Sequence, residues 1–231
     1  MTELERLLEL RFPPVAISFR DAAPAGVPRI AAPEAASCGY WRRAAAGERF
    51  YTEADDHVNC FIGAHTHGVP LTPPQARELE GLIGTMVSLR YLKLEEVPAI
   101  PARRGRFGVV IYGPIEGEAE HVDVVLVHGT ARQLMLLAEA AQAAGVAGAA
   151  PTMGRPTCAI LPQLLESGRT ASSFGCVGNR VYTGVGDDEA YFAIPGARLA
   201  AVEEKLAEVV QANAELRKFH EARRTALATP R

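Results

Sequence analysis

The sequence has no long hydrophobic run. Its longest purely apolar stretches, such as Val124–Val127, have the length of a strand and fall far below the roughly 18 residues that a membrane span needs. The first residues, MTELERLLELRFPP, are charged and amphipathic, without the apolar centre of a signal peptide. These absences predict a cytoplasmic protein with no membrane partner.

The sequence also lacks an excess of positive charge and several short catalytic motifs. Its 24 Lys and Arg residues stand against 27 Asp and Glu residues, and the formal net charge of −3 argues against a nucleic-acid partner. It contains no GK[ST] phosphate loop, no GxGxxG at a strand-to-helix turn and no HExxH, Ser-His-Asp or paired-carboxylate pattern. Neither a hydrolase nor a P-loop enzyme is indicated.

Cysteine is scarce, and its positions are informative. There are four cysteines, and in the cytoplasm they are not expected to form structural disulfides. Each lies beside glycine or at the start of a predicted helix, and the absence of CxxC excludes a zinc ribbon or a ferredoxin-type run. Glycine lets backbone N–H groups approach cluster sulfurs. We therefore predict a 4Fe-4S iron–sulfur cluster, with zinc less favoured, on Cys38, Cys60, Cys158 and Cys176.

Two other interpretations of the cysteines remain open at this stage. Cysteine often serves as a small buried hydrophobic residue, which would make the protein a metal-free ligand-binding or sensor module with packing cysteines. Alternatively, one reactive cysteine would make it a thiol-redox enzyme. The sequence does not decide between these alternatives and the cluster.

Hydrophobic periodicity predicts a single α/β domain over residues 1–231. Apolar segments predict strands at Val15–Phe19, Phe107–Tyr112, His121–His128 and Glu189–Ile194; the third is too apolar to have a wet face and should be central in its sheet. Helical spacing and caps predict helices at 2–10, 37–46, from Thr72 onwards, at 130–144, 158–168 and 198–224.

The two halves of the chain resemble each other. Residues 13–115 and 121–224 each contain a strand, a cysteine that opens a short helix, a glycine stop and a second cysteine in a Gly-rich loop. The two cysteines are 22 positions apart in the first half and 18 apart in the second. An internal duplication would build the protein from two related β–α halves around a mixed sheet, with the four thiols near a pseudo-two-fold axis.

A small-molecule site is predicted in the second half. The segment GCVGNRVYTGVG holds Arg180, which suits a carboxylate or phosphate because its guanidinium bonds in bidentate fashion; the alternative is a surface pair with Asp187 or Asp188. Asn179 and His128 are predicted to bind the same ligand, with an anion favoured. His128 ends an apolar strand, where α/β proteins bind ligands. A homo-oligomer is compatible with these features.

The remaining histidines carry weaker signals. His57 precedes Cys60 by three residues and is a candidate proton donor near the thiol. His65 and His67 form an i, i+2 pair that would suit a metal on an extended segment, but a solvated loop is the favoured interpretation. Trp41 is interpreted as a core residue rather than as a pocket wall.

Several segments together resemble one known family. They are PPVAISF near the start, Cys38, Cys60 with Gly63, HVDVVLVHG with the helix after it, and GCVGNRVYTGVGDDEAYFAIPG. In this combination the chain resembles the DUF169 family from about Pro13 to Gly196, and the last segment is the most specific. The resemblance implies that the cysteine-bearing segments are family features, but it implies no activity, substrate or ligand.

Overall fold

A computed structural model describes residues 2–115, 122–148 and 156–228. The described chain is a mixed α/β structure, as predicted, built around one six-stranded sheet. His121, which was predicted to open the third strand, lies outside the described residues.

The sheet has the strand order β2-β3-β1-β4-β6-β5. The strand pairs recorded for this sheet are all antiparallel, so the predicted mixed sheet is replaced by an antiparallel one. Strand direction depends on how the halves meet, which local sequence does not encode. The strands are β1 (Val15–Arg20), β2 (Phe50–Thr52), β3 (Val109–Pro114), β4 (Val124–Thr130), β5 (Ala171–Ser173) and β6 (Glu189–Pro195).

Most of the helices lie where periodicity and caps predicted them. Thr2 and Thr130 each close a capping box at a helix start, and two prolines open the fourth helix. Within the described ranges, no helix is long and apolar enough to cross a bilayer. The helices are α1 (Glu3–Leu8), α2 (Gly39–Ala45), α3 (Phe61–His67), α4 (Pro73–Ser88), α5 (Ala131–Ala143), α6 (Ile160–Ser167), α7 (Val177–Thr183) and α8 (Leu199–Ala228).

Helices cover both faces of the sheet, and β4 lies in its middle. Because side chains alternate along a strand, Val124 and Leu126 pack on the face of α2 and α6, whereas Val125 and Val127 pack on the face of α1, α5 and α8. These four β4 side chains are 0–2% exposed. The prediction of a central strand without a wet face is confirmed.

The two halves of the chain contribute corresponding parts of the sheet. From its edge to its centre, the first half supplies β2, β3 and β1, and the second half supplies β5, β6 and β4. They meet where β1 runs antiparallel to β4, with Val15 opposite Leu126 and Ile17 opposite Val124. This order is what a pseudo-two-fold axis between β1 and β4 produces. The duplication itself stays a prediction.

Candidate functional site

Cys60 and Cys176 are half-buried, and we call them the outer cysteines; the buried Cys38 and Cys158 are the inner cysteines. The two outer cysteines begin helices of equal length. Cys60 is the N-cap of α3 and Cys176 is the N-cap of α7, and each helix has seven residues. The Sγ atom of Cys60 accepts a hydrogen bond from the amide of Gly63 at 3.3 Å, and that of Cys176 accepts one from the amide of Asn179 at 3.4 Å. Both cysteines are half-buried free thiols.

The predicted glycine-rich loops at these cysteines are therefore wrong, because both segments are helices. Their glycines lie within the first turn or end the helix: Gly68 and Gly184 have φ values of 76° and 67°, the left-handed conformation of a helix C-terminus. The sequence predicted loops here because glycine has a low helix propensity.

The two inner cysteines are buried. Burial raises the pKa of Cys38 to about 12, although a hydrogen bond from the Asn179 side chain opposes the increase. Burial also raises the pKa of Cys158 well above its ordinary value, and charge on Cys60, Cys38 or Cys176 would raise it further. Both inner thiols therefore keep their protons at neutral pH. Because charges on the other cysteines affect the pKa values of Cys38 and Cys158, the four predicted cysteines lie in one region of the structure.

Each outer cysteine's helix contacts the inner cysteine of the other half. The Thr66 side chain, on α3, opposes the increase in the pKa of Cys158, and the Asn179 side chain, on α7, opposes the increase in the pKa of Cys38. The amide of Cys176 donates to Oγ1 of Thr157 at 2.6 Å. A hydroxyl residue precedes both inner cysteines, and this sequence signal was not used in the prediction.

The prediction that the four cysteines hold an iron–sulfur cluster is wrong. Across residues 2–115, 122–148 and 156–228, no three His, Cys, Asp or Glu side chains form a group that could hold a metal ion. The outer sulfurs are instead directed at amides of their own helices. The weaker expectation of zinc stays a prediction.

His57 is buried beside the thiols and has hydroxyl partners on both ring nitrogens. Its Nδ1 lies 3.1 Å from Oγ of Ser37, and its Nε2 lies 3.1 Å from Oγ1 of Thr52. Burial lowers its pKa well below the ordinary value, and the neighbouring His67 adds to that effect. A neutral ring whose two nitrogens both face hydroxyl groups has no N–H directed at Cys60, so this geometry does not favour the predicted donor role.

His67 is also buried, contrary to the predicted solvated loop. It is 1% exposed, whereas His65, on the same helix, faces solvent. Nδ1 of His67 lies 2.7 Å from the carbonyl oxygen of Gly63 and must donate, because a carbonyl can only accept. Nε2 then accepts from the hydroxyl of Tyr112 at 3.3 Å. Burial lowers the pKa of His67 to about 4.

The guanidinium of Arg180 hydrogen-bonds to the backbone before and after its own helix, α7. Its N–H groups donate to the carbonyl oxygens of Gly186, Phe174 and Glu189. It also lies 3.7 Å from Oδ1 of Asp187, the surface pair that the sequence offered as the alternative. Anion binding by Arg180 stays a prediction, although few of its donors remain for a ligand.

The other two predicted ligand residues meet at the ring of Tyr191. His128 stacks on this ring with centroids 5.2 Å apart, and Nδ2 of Asn179 donates to its hydroxyl at 3.1 Å. Trp41 packs edge-on against the same ring and is 2% exposed, so its interpretation as a core residue is confirmed. Nε2 of His128 also lies 3.0 Å from Oε2 of Glu189, and burial lowers the pKa of this histidine.

Three polar atoms beside Tyr191 are buried without a hydrogen-bond partner within the described part of the chain. They are Nε1 of Trp41, which can only donate, Oδ1 of Asn179, which can only accept, and Nε2 of His128. Buried polar atoms are normally paired, so these atoms mark a place that would suit a polar molecule. The ligand roles predicted for Asn179 and His128 stay predictions.

The surface around Cys176 is apolar. Four large hydrophobic side chains within nine residues of the chain are 58–71% exposed, namely Phe174, Val177, Val181 and Tyr182. We call them the α7 apolar surface. Exposed apolar groups that cluster in this way typically mark an interaction site.

Comparison with known proteins identifies the family of this chain. No curated protein and no solved structure is matched by it. Residues 3–205 match the family model of DUF169, which is described as "Uncharacterised ArCR". The match covers both halves of the sheet and all four cysteines. The chain therefore belongs to the DUF169 family.

Proposed function

We propose that the protein is a thiol-redox protein of the cytoplasm that uses Cys60 and Cys176 as an exchanging pair. The observation that supports this most is the equivalence of the two residues: both are half-buried N-caps whose sulfur accepts an amide hydrogen bond from the residue three positions ahead. Negative charge forms on sulfur during thiol–disulfide exchange, and an N–H directed at the sulfur stabilises that charge.

The reaction is the reduction of an external disulfide. The Cys176 thiol gives up its proton and attacks one sulfur of the disulfide, whose S–S bond breaks and whose other sulfur leaves as a thiol after taking a proton. The Cys60 thiol then attacks the mixed disulfide and releases the second external thiol. The two electrons come from the two cysteines, which end as a disulfide.

Burial of the inner thiols confines the exchange to the outer pair. Cys38, with a pKa of about 12, and Cys158, whose pKa is also raised by burial, remain thiols at neutral pH. Because the thiolate is the nucleophile, neither competes for the external disulfide.

The α7 apolar surface favours an apolar disulfide substrate. Its side chains carry no charge, and the neighbouring Arg180 is occupied by backbone carbonyls. An anionic disulfide such as oxidised glutathione would find little to bind there. The surface suits a disulfide displayed by an apolar protein surface.

The test uses the reduced full chain and 4,4′-dithiodipyridine, an uncharged aromatic disulfide. We expect release of two thiopyridones for each chain and a product two hydrogens lighter than the reduced protein, with Cys60 joined to Cys176 in the peptide map. Oxidised glutathione should react more slowly. Cys176→Ser should stop formation of the internal disulfide, whereas Cys38→Ala should preserve it.

Three outcomes would overturn this proposal. The first is a disulfide that maps to another pair of cysteines. The second is capping of single thiols without any internal disulfide, which would support the sensor module with packing cysteines. The third is stoichiometric metal, by elemental analysis, in protein prepared without oxygen, with all four thiols shielded from the reagent.

The unpartnered atoms beside Tyr191 favour a second candidate, the binding of a small polar molecule. Such a ligand would accept from Nε1 of Trp41 and donate to Oδ1 of Asn179, as a primary amide does. Thermal shift with benzamide tests it: a rise in Tm for the wild type that Trp41→Phe loses supports the site, and no rise contradicts it.

A further inference from the structure

Four aromatic rings lie in series at the end of β4. The ring of Phe12 stacks on His128 with centroids 5.6 Å apart and planes 5° apart, and His128 in turn stacks on Tyr191. Trp41 ends the series, edge-on against Tyr191. Phe12 is half-buried and Trp41 is fully buried, so this series, which we call the ring stack, leads from the surface into the core.

Two arginines share the outer ring of the ring stack. The guanidinium carbon of Arg42 lies 4.0 Å from the centroid of Phe12, and that of Arg11 lies 5.0 Å from the same centroid. Arg42 is on α2, next to the buried Trp41, and Arg11 directly precedes Phe12 in the chain. Two positive charges are therefore held close together at the surface end of the ring stack.

Neither guanidinium has an anionic partner among the residues that the structure describes. The contacts of Arg11 and Arg42 there are with the Phe12 ring, and neither side chain donates a hydrogen bond to an oxygen atom of those residues. The next residue along the chain, Arg43, instead pairs with two glutamates, Glu34 and Glu48. Like charges repel, so two guanidinium groups beside one ring favour an anion between them.

The carboxylate of Glu189 also lies in this region, but other groups hold it. Its Oε2 accepts a hydrogen bond from the amide of Gly186 at 2.9 Å and lies 3.0 Å from Nε2 of His128. Burial opposes the ionisation of Glu189, but Gly186, His128 and Arg11 together lower its pKa. The side chains of Arg11, Arg42 and Glu189 together therefore carry a net positive charge.

We propose that Arg11 and Arg42 bind a phosphate group, free or carried by a small molecule, at the surface end of the ring stack. A guanidinium presents its N–H donors in a planar fork that matches two oxygens of a phosphate. Contact with the face of a ring needs no oxygen acceptor, so these donors are left for the ligand. A phosphate dianion offsets both positive charges, whereas a carboxylate offsets one.

The test measures the binding of inorganic phosphate to the full chain by isothermal titration calorimetry at constant ionic strength. We expect one phosphate for each chain. Arg42→Gln and Arg11→Gln should each weaken binding about tenfold or more, because each removes a charge-assisted contact. Arg11 is exposed, so Arg11→Gln should fold as the wild type does. Arg104→Gln removes the same charge from an exposed position and should leave the affinity unchanged.

Two further variants separate this site from the other proposals. Arg180→Lys should keep the phosphate affinity, because the Arg180 guanidinium is bonded to backbone carbonyls. Cys60→Ser should also keep it, since the site does not use the thiols; failure of the thiol exchange and failure of this site are thus distinguishable. Phenyl phosphate identifies the source of the group: tighter binding of the ester indicates a phosphorylated small molecule, and tighter binding of the free ion indicates inorganic phosphate.

His128 reports on the same site independently of the affinity. Burial lowers its pKa, and the charges on Arg42 and Arg11 lower it further, against the effect of Glu189. A bound phosphate offsets these charges, so the pKa of His128, measured by NMR, should rise with phosphate in the wild type and stay unchanged in Arg42→Gln. The proposal is overturned by the absence of saturable binding, by equal affinity in the wild type and both glutamine variants, by loss of binding in Arg180→Lys alone, or by a pKa of His128 that phosphate does not move.

Discussion

Cys60 and Cys176 are the N-caps of two seven-residue helices, one in each half of the chain. Each helix ends at a glycine in the left-handed conformation, Gly68 in the first half and Gly184 in the second. Their sulfurs receive amide hydrogen bonds of 3.3 and 3.4 Å. The inner pair, Cys38 and Cys158, lies buried behind them. The four thiols thus divide into an accessible pair and a protected pair.

Acid should destabilise the protein through His67. Its folded-state pKa of about 4 lies below the ordinary 6.5, so the unfolded chain binds a proton more readily than the folded one. The contribution of the neutral His67 to the free energy of unfolding is complete above pH 6.5. It is lost as the pH falls towards 4, which lowers the free energy of unfolding by about 3 kcal/mol. Urea unfolding at a series of pH values measures this loss.

His67→Gln removes this titration, so the free energy of unfolding should fall less between pH 6.5 and 4 than in the wild type. The exposed His65, on the same helix, offers the matched control, and His65→Gln should keep the wild-type profile. Identical pH profiles for His67→Gln and wild type would show that His67 does not resist protonation in the folded state.

Gly175 should not tolerate a side chain. Its φ is 83°, and a Cβ atom there would lie 3.0 Å from Oδ1 of Asn179, which is fully buried. Gly175→Ala should therefore cost about 1–2 kcal/mol in the free energy of unfolding, measured with urea. Displacement of Asn179 should also raise the pKa of the Cys38 thiol further, which makes that thiol less reactive.

Gly178, three residues further on, provides the comparison. It lies inside α7, where a Cβ would meet only the Tyr182 ring at 3.8 Å. Gly178→Ala should be neutral or should stabilise the protein by up to about 1 kcal/mol, as alanine does in a helix. Equal effects of the two substitutions would contradict the role assigned to the Gly175 backbone.

Arg180→Lys should lower stability, because an ammonium group cannot reach the carbonyls of Phe174, Gly186 and Glu189 together. The expected loss is about 1–2 kcal/mol in the free energy of unfolding. Arg104→Lys is the control: Arg104 is 88% exposed on the side chain, so its replacement should change stability by less than about 0.5 kcal/mol.

The wild type and Arg180→Lys also test the anion site predicted from the sequence. If phosphate raises the Tm of the wild type and Arg180→Lys loses that rise, the guanidinium holds an anion despite its backbone bonds. If Arg180→Lys is as stable as the wild type, the carbonyl contacts contribute nothing and the structural role is wrong.

The sequence by itself determined the elements whose signals are local. Continuous apolar residues predicted β4 as a central strand, and the local sequence also predicted the helices α1 and α5. It also placed the four cysteines at helix starts or beside glycine, and the motif at 175–196 led to the correct family. Each of these signals is contained in a short segment of chain.

Only the tertiary structure decided what the cysteines are. Whether Cys38 is a thiolate ligand or a protonated core residue depends on the water removed around it, and that burial comes from packing within the assembled fold. The helices at Cys60 and Cys176 form despite their glycines because packing outweighs the intrinsic propensity of a seven-residue segment. Desolvation and packing sum over residues distant in the chain, so no local pattern could have separated two buried thiols from two accessible ones.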